Sequence, residues 1–179
     1  MRIISGKYKG RRFSPPPGFR ARPTTDFAKT GLFNILNNYF DLNDLEILDL
    51  FSGTGSIGLE FVSRNAGYVE MVEINSIHSR FIHKLITQLQ ITKARVIKTD
   101  VFEYITRTKK KFDIIFADPP FDMEETRDLP SLIFRHNLLK EDGWLIIEHS
   151  SKNDFSIDPH YLDMRKYGSV RFTFFKNQE

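Results

Sequence analysis

The segment "FADPPF", residues 116–121, closes an apolar run with a carboxylate, two prolines and an aromatic ring. Pro119 and Pro120 restrict the backbone and remove two N–H donors. What remains is an acceptor surface, the Asp118 carboxylate and the Pro119 carbonyl, with the flat face of Phe121 beside it. Such a surface fits a planar amino group on a nucleobase, which offers two N–H donors and a ring to stack on. An exocyclic amine is a poor nucleophile because its lone pair is delocalised into the ring. Two acceptors on its hydrogens favour pyramidalisation and aim the lone pair at an incoming methyl group. The reaction would be an in-line displacement, helped mainly by orientation and electrostatics. The same residues also suit an ordinary proline turn over a buried phenylalanine.

A second constellation lies upstream. In "DLFSGTGSIG", residues 49–58, Gly53, Gly55 and Gly58 match G-x-G-x-x-G at the junction of a strand and a helix. Glycines there let the backbone approach a ligand at the helix N-terminus. Glu73 ends the next strand, placed to accept hydrogen bonds from ribose hydroxyls. Together these suit either a nicotinamide dinucleotide or S-adenosylmethionine; a tight turn without a ligand is the plainer alternative. Asp49 favours S-adenosylmethionine, because an acid four residues before Gly53 suits an ammonium and a sulfonium and repels a pyrophosphate.

These residues need a scaffold that brings strand tips together. Residues 2–4 and 11–13 flank "SGKYKG" and predict a basic hairpin punctuated by Gly6 and Gly10. Thr25 or Asp26 can N-cap a helix carrying Leu32, Phe33, Ile35, Leu36 and Phe40. Gly31 inside it costs about 1 kcal/mol against alanine, which points to close packing or a bend. The chain then alternates: strand 46–50, helix 56–64, strand 68–73, helix 75–90, strand 94–98, helix 101–107, strand 112–117, helix 124–136, strand 143–148. That alternation predicts a parallel sheet covered on both faces. "YLDMRKYGSVRFTFFK" changes style and predicts an antiparallel hairpin at the sheet edge.

Charge divides the chain unevenly. The first 25 residues hold seven basic side chains and no acid, whereas the other 154 hold 19 basic and 23 acidic residues. A basic arm on a mildly acidic body is the footprint of a polyanion partner, although a solvated tail has the same composition. Lys109–Lys110–Lys111 enters the fourth strand at the end away from the tips, where a solvated loop is expected. The chain has no cysteine, which excludes disulfides, thiolate metal sites and a cysteine nucleophile and fits a cytoplasmic protein. The five histidines are scattered, and His78 and His83 are wrongly spaced for one helix face, so no metal site is expected. No run of 18 apolar residues is present, and the basic N-terminus lacks an apolar leader segment, so neither a membrane span nor a signal peptide is expected.

Taken in order, "RIISGKYKGRRF", "RPTTDFAKTGLFNIL", "ILDLFSGTGSIGLEFVSR", "VEINS" and "FADPPF" resemble the RsmD-type bacterial 16S ribosomal RNA guanine-N2 methyltransferases. The likeness spans essentially the whole chain. "DPPF" alone is shared with DNA and protein amine methyltransferases; "RPTTD" joined to the basic opening is far more specific. The resemblance implies an α/β fold, a Rossmann-like seven-stranded class I S-adenosylmethionine-dependent methyltransferase sheet with antiparallel terminal strands. A basic N-terminal hairpin and helix precede it, giving an arm over 1–25 and a catalytic domain over 26–179. It implies cofactor contacts from Arg22, Thr24, Asp49, Phe51, Ser52, Gly53, Thr54, Gly55, Gly58, Glu73, Ile74, Asp100, Val101 and Asp118. The target amine falls to Asp118, Pro119, Pro120 and Phe121, and RNA phosphates to Arg2, Lys7, Lys9, Arg11, Arg12, Arg22 and Lys29. Asp100 is equally suited to N-cap the helix 101–107. Phe27 stands where the family often has arginine, leaving one phosphate contact open.

The expected activity is methyl transfer from S-adenosylmethionine to one guanine N2 amine of 16S ribosomal RNA, within the small subunit, by a cytoplasmic monomer. A DNA adenine-N6 or cytosine-N4 methyltransferase is the alternative, disfavoured because 179 residues hold no separate target-recognition domain. A nicotinamide oxidoreductase would need an acid such as a Tyr-x-x-x-Lys pair, and "YLDMR" at 161–165 supplies only arginine. A non-catalytic RNA-binding module would have no use for "DPPF".

Overall fold

The computed structural model of the chain describes residues 1–17, 19 and 24–177. Seven strands form one sheet: β1 (Glu46–Leu50), β2 (Tyr68–Val72), β3 (Ala94–Ile97), β4 (Phe112–Ala117), β5 (Leu139–His149), β6 (Tyr161–Tyr167) and β7 (Val170–Lys176). Their order is β3-β2-β1-β4-β5-β7-β6. The first five are parallel to one another, while β7 runs antiparallel to both β5 and β6. The order reverses between β1 and β4, and the crevice beyond their C-terminal ends is where ligands settle in open α/β sheets.

Strand periodicity divides the core into two layers. Ile47, Val69, Met71, Ile114, Phe116 and Ile146 point toward α1 (Asp26–Tyr39), α2 (Ser56–Ser63) and α3 (Ser76–Gln88). Leu48, Leu50, Val72, Ile115, Ala117 and Ile147 face α4 (Val101–Arg107) and α5 (Leu129–Arg135). Helix starts follow side-chain caps: Thr25 accepts from the Ala28 N–H, Asn75 from Ile77 and His78, and Asp100 from Phe102 and Glu103. Gly31 answers to close packing, since a Cβ there would lie 2.1 Å from Cε1 of Tyr167.

The N-terminal segment forms the expected hairpin, bridged at Arg2 and Arg12. It is fastened to the sheet rather than trailing from it. Ile3 and Tyr8 are buried in the same apolar layer as α1 and α2. Gly6 lies at φ 79° against the end of α2, where any Cβ would stand 1.8 Å from the Ser63 carbonyl; glycine is required there on both counts.

Two boundaries differ from the sequence expectation. The helix expected over 124–136 is a 3-10 turn, Glu124–Asp128, followed by α5; Pro130, which lacks an N–H, fits only the first turn of an α-helix, so the helix starts beside it. β5 begins at Leu139 rather than 143, because a register shift between Phe112 and Ile114 lets the earlier residues pair. The C-terminal hairpin lies at the sheet edge as expected, with β7 between β5 and β6.

Candidate active site

At the reversal point lies a cavity of about 580 Å³ lined from the tips of five strands. The loop after β1 contributes Asp49, Phe51, Ser52, Gly53 and Thr54, and β2 ends in Glu73 and Ile74. Asp100 and Val101 come from the start of α4, and Asp118, Pro119, Pro120 and Phe121 from the tip of β4. Thr24 reaches in from the segment before α1. Residues that the sequence scatters over nearly a hundred positions therefore line one space.

The β1 loop turns sharply. Phe51, Gly53 and Gly55 all have positive φ, at 58°, 53° and 72°; for phenylalanine that conformation is strained, a condition met mostly where function holds it. Gly55 and Gly58 stand behind the wall rather than on it. Gly55 is the N-cap of α2, and the Gly58 N–H donates to Asp49 Oδ2 at 3.0 Å. A Cβ at Gly58 would stand 2.6 Å from Met71 and 2.9 Å from that same oxygen. The third glycine thus sets the orientation of Asp49. Glu73 accepts the Gly53 N–H through Oε2 at 2.8 Å and the Asn75 N–H through Oε1 at 2.7 Å, tying the β1 and β2 loops together.

Both readings of Asp100 are compatible. Its Oδ1 caps α4 through Phe102 and Glu103 at 2.9 and 3.1 Å, while the residue still lines the cavity. Ile74 is 61% exposed at the mouth. Pro119 is buried, whereas Pro120 and Phe121 face outward.

Electrostatically the floor is unusual. Burial pushes the Asp49 carboxyl up to about 7, with the neighbouring Glu73 charge adding to the rise. Asp118 is driven well above the usual carboxylate range by burial and by the charges of Glu148 and Asp49. Burial also raises Glu148 to about 7, against the Thr24 hydroxyl that donates to its Oε2 at 2.6 Å. Asp49, Asp118 and Glu148 share the cavity with no cation of the described residues among the groups that act on them. Among the described residues no three or more such side chains are grouped to hold a metal ion.

Sequence reasoning missed Glu148, along with His78, Phe116, Met123, Ser169 and Val170, which also line the cavity. For Glu148 a signal existed: "GWLIIEH" is an apolar parallel strand whose tip carries an acid, an exception to the continuous hydrophobic run of a strand buried on both faces. His78 stacks on Phe19 with ring centroids 3.8 Å apart and lies 3.6 Å from Glu73.

Of the residues expected to meet phosphates, Arg2, Lys7, Lys9, Arg11 and Arg12 are exposed on the hairpin. Arg2 is paired with Asp26 at 2.7 Å, and Lys7 and Arg11 flank the Tyr8 ring. Lys29 does not belong with them. It is 1% exposed, donating to the Arg2 carbonyl at 2.5 Å and to Ser56 Oγ at 3.1 Å, with Glu60 at 3.4 Å. Its place between Thr25 and Phe33 sets it on the buried face of α1, with Ala28, Leu32, Phe33 and Leu36, so its ammonium is turned inward. Glu60 in turn accepts the Ile4 and Ser5 N–H groups and Arg64. Arg22 lies outside the described residues. Phe27 is 69% exposed and packs edge-on against Tyr167. Lys110, in the loop before β4, pairs with Glu70 at 2.8 Å. Among the described residues no helix is long and apolar enough to cross a membrane.

Comparison with known proteins agrees with this geometry. The chain is 34% identical over 159 residues to the Ribosomal RNA small subunit methyltransferase D of Buchnera aphidicola subsp. Baizongia pistaciae, covering 89% of this chain and 81% of that one. It is 34% identical over 151 residues to the protein of the same name from Escherichia coli strain K12, over 83% and 71% of the two chains. Among solved structures, Escherichia coli yhhF, proposed to be a methyltransferase, superposes with a TM-score of 0.85 at 26% identity, over 98% of this chain and 96% of that one. A Haemophilus influenzae protein proposed to be a methylase gives 0.81 at 28% identity, over 99% and 98%. Residues 1–176 match the family described as Conserved hypothetical protein 95. By that match, and by its identity to the small-subunit ribosomal RNA methyltransferases D, the chain belongs to this family.

Proposed function

We propose that the protein transfers a methyl group from S-adenosylmethionine to the exocyclic N2 amine of one guanine in 16S ribosomal RNA of the small ribosomal subunit, acting as a cytoplasmic monomer. The observation that carries this reading is that Asp118 and Pro119, at the tip of β4, line the same cavity as Asp49 and Glu73.

The residues present fit the cofactor. Asp49 is buried without a cationic partner among the described residues, which suits an ammonium and a sulfonium. Each Glu73 oxygen holds one backbone N–H, and a carboxylate oxygen has capacity for a second donor such as a ribose hydroxyl. Ile74 and Val101 offer apolar faces beside Asp100. When bound, S-adenosylmethionine supplies an electrophilic methyl group on a positively charged sulfur.

The chain's own part is orientation and proton handling. Asp118 and the Pro119 carbonyl accept the two amine hydrogens and turn the nitrogen lone pair toward the cofactor. Phe121 gives the base a face to stack on. The raised proton affinity of Asp118 lets it take the proton that the amine loses. The exposed cations of the hairpin hold the RNA backbone.

The test is incubation with labelled S-adenosylmethionine and small ribosomal subunits that lack the modification, followed by nucleoside digestion. Label in N2-methylguanosine at a single position is expected. Label in another nucleoside, or in none, would overturn the reading.

A further inference from the structure

The cavity holds one buried acid that the reaction above leaves unused. Glu148 is 3% exposed and sits one residue beyond Ile147, which pairs with Ala117 at the last register position of β4 and β5. Glu148 and Asp118 are therefore side by side at the tips of adjacent parallel strands, roughly 4.8 Å apart in the pairing direction. Alternation along each strand puts both on the face that carries Asp49, Phe116 and Ile146.

Among the described residues Glu148 is held through Oε2 alone, by the Thr24 hydroxyl. Thr24 thus fixes the carboxylate with one oxygen left toward the cavity. At the adjacent tips of β4 and β5 the lining side chains are two carboxyls, Asp118 and Glu148, beside Pro119.

Base edges differ at the ring nitrogen beside the amine. Guanine carries N1–H next to its N2 amine, two adjacent donors. Adenine and cytosine carry a bare ring nitrogen, an acceptor, next to theirs. The guanine amine is flanked by N1–H on one side and bare N3 on the other. With the amine held by Asp118 and Pro119, an acid on the next strand, β5, would select the orientation that turns N1–H toward it. A carboxylate there accepts N1–H and repels a bare nitrogen. Sites built to bind an N–H reject analogues that lack it, because their own polar group is left unpaired.

We propose that Glu148 is a specificity-determining residue whose carboxylate accepts the N1–H of the target guanine and excludes bases with an unprotonated ring nitrogen. This rests on the methyl-transfer reading above and adds the group that selects the base.

The test uses the full chain and small subunits reconstituted from RNA carrying either guanine or 2-aminopurine at the modified position. 2-Aminopurine keeps the 2-amine but has a bare N1. Wild type is expected to favour guanine by at least a hundredfold in kcat/KM. Glu148→Gln, whose amide N–H can donate to a bare N1, is expected to lose at least a hundredfold on guanine and to gain on 2-aminopurine, narrowing or reversing the preference. Cofactor affinity measured by calorimetry should stay within a few-fold, which shows that the variant is folded. Thr24→Val, which removes the hydroxyl that orients the carboxylate, is the second variant and should shift the same ratio less far. Equal loss on both bases in both variants would overturn the role of Glu148 and leave the methyl-transfer reading standing. Label on a base other than guanine from the wild type would overturn that reading, and the assignment with it.

Discussion

Replacing Asp49 with asparagine should make the ligand-free protein more stable at pH 8 and leave it nearly unchanged at pH 4. Asp49 is 2% exposed, and burial lifts its carboxyl from an ordinary 3.8 to about 7. In the unfolded chain the group is ionised above about pH 4, whereas in the folded chain it keeps its proton until about pH 7. Folding therefore takes up a proton between these values, so the contribution of Asp49 to stability is full below pH 4 and is lost as pH rises through 7. At about 1.36 kcal/mol per pH unit, the window between 3.8 and about 7 corresponds to about 4 kcal/mol. Asparagine can still accept the Gly58 N–H that now bonds to Oδ2 and carries no charge to desolvate. Urea denaturation of both proteins at pH 5, 6, 7 and 8, with unchanged m-values, gives the difference directly. The raised carboxyl of Glu148 tilts both curves alike, whereas Asp118 is raised in part by the Asp49 charge, so the gap between the curves reports Asp49 together with its effect on Asp118. That gap should open toward alkaline pH to the order of several kcal/mol, while cofactor affinity falls. A gap that stays constant over the whole range would refute the claim that Asp49 is held protonated by burial.

Asp118→Ala should abolish methyl transfer while leaving cofactor affinity within a few-fold, and Asp118→Asn should retain some activity because the amide oxygen still accepts; turnover assays with calorimetry decide. Glu73→Ala should weaken cofactor binding at least tenfold, since each charge-assisted hydrogen bond lost is worth about 1.5–3 kcal/mol, and unchanged affinity would mean the ribose is held elsewhere. Changing Lys7, Lys9, Arg11 and Arg12 together to alanine should flatten the log-affinity versus log-salt slope for RNA by about three without touching cofactor binding; parallel slopes would assign RNA contact to the strand tips. Lys29→Ala should destabilise the fold by about 3 kcal/mol, the low end for breaking a buried ion pair, because Arg64 and two backbone N–H groups still hold Glu60; a loss of RNA affinity with full stability would put Lys29 back among the phosphate contacts.

The order of strands and helices, the parallel core and the cap at Asp100 were legible in the sequence, and the cap at Thr25 and the close packing at Gly31 were each one of two readings it offered. Each depends on neighbours a few positions away, and local periodicity and side-chain chemistry carry that information. The two motifs were legible for the same reason, since a glycine loop and a proline-stiffened tip are local objects. What the tertiary structure decided involves residues far apart along the chain. Thr24 and Glu148 meet across 124 positions, and neither has a local partner to announce the contact. Lys29 reads as a cation for RNA until α1 docks, when the hairpin backbone, Ser56 and Glu60 close around it; its spacing from Leu32, Phe33 and Leu36 carried the warning. The pairing of β7 with β5 depends likewise on which strand edges remain open once the parallel sheet has formed. Burial and strand pairing are properties of the assembled surface, so a carboxylate's proton affinity and a lysine's role are settled only when distant segments close over them.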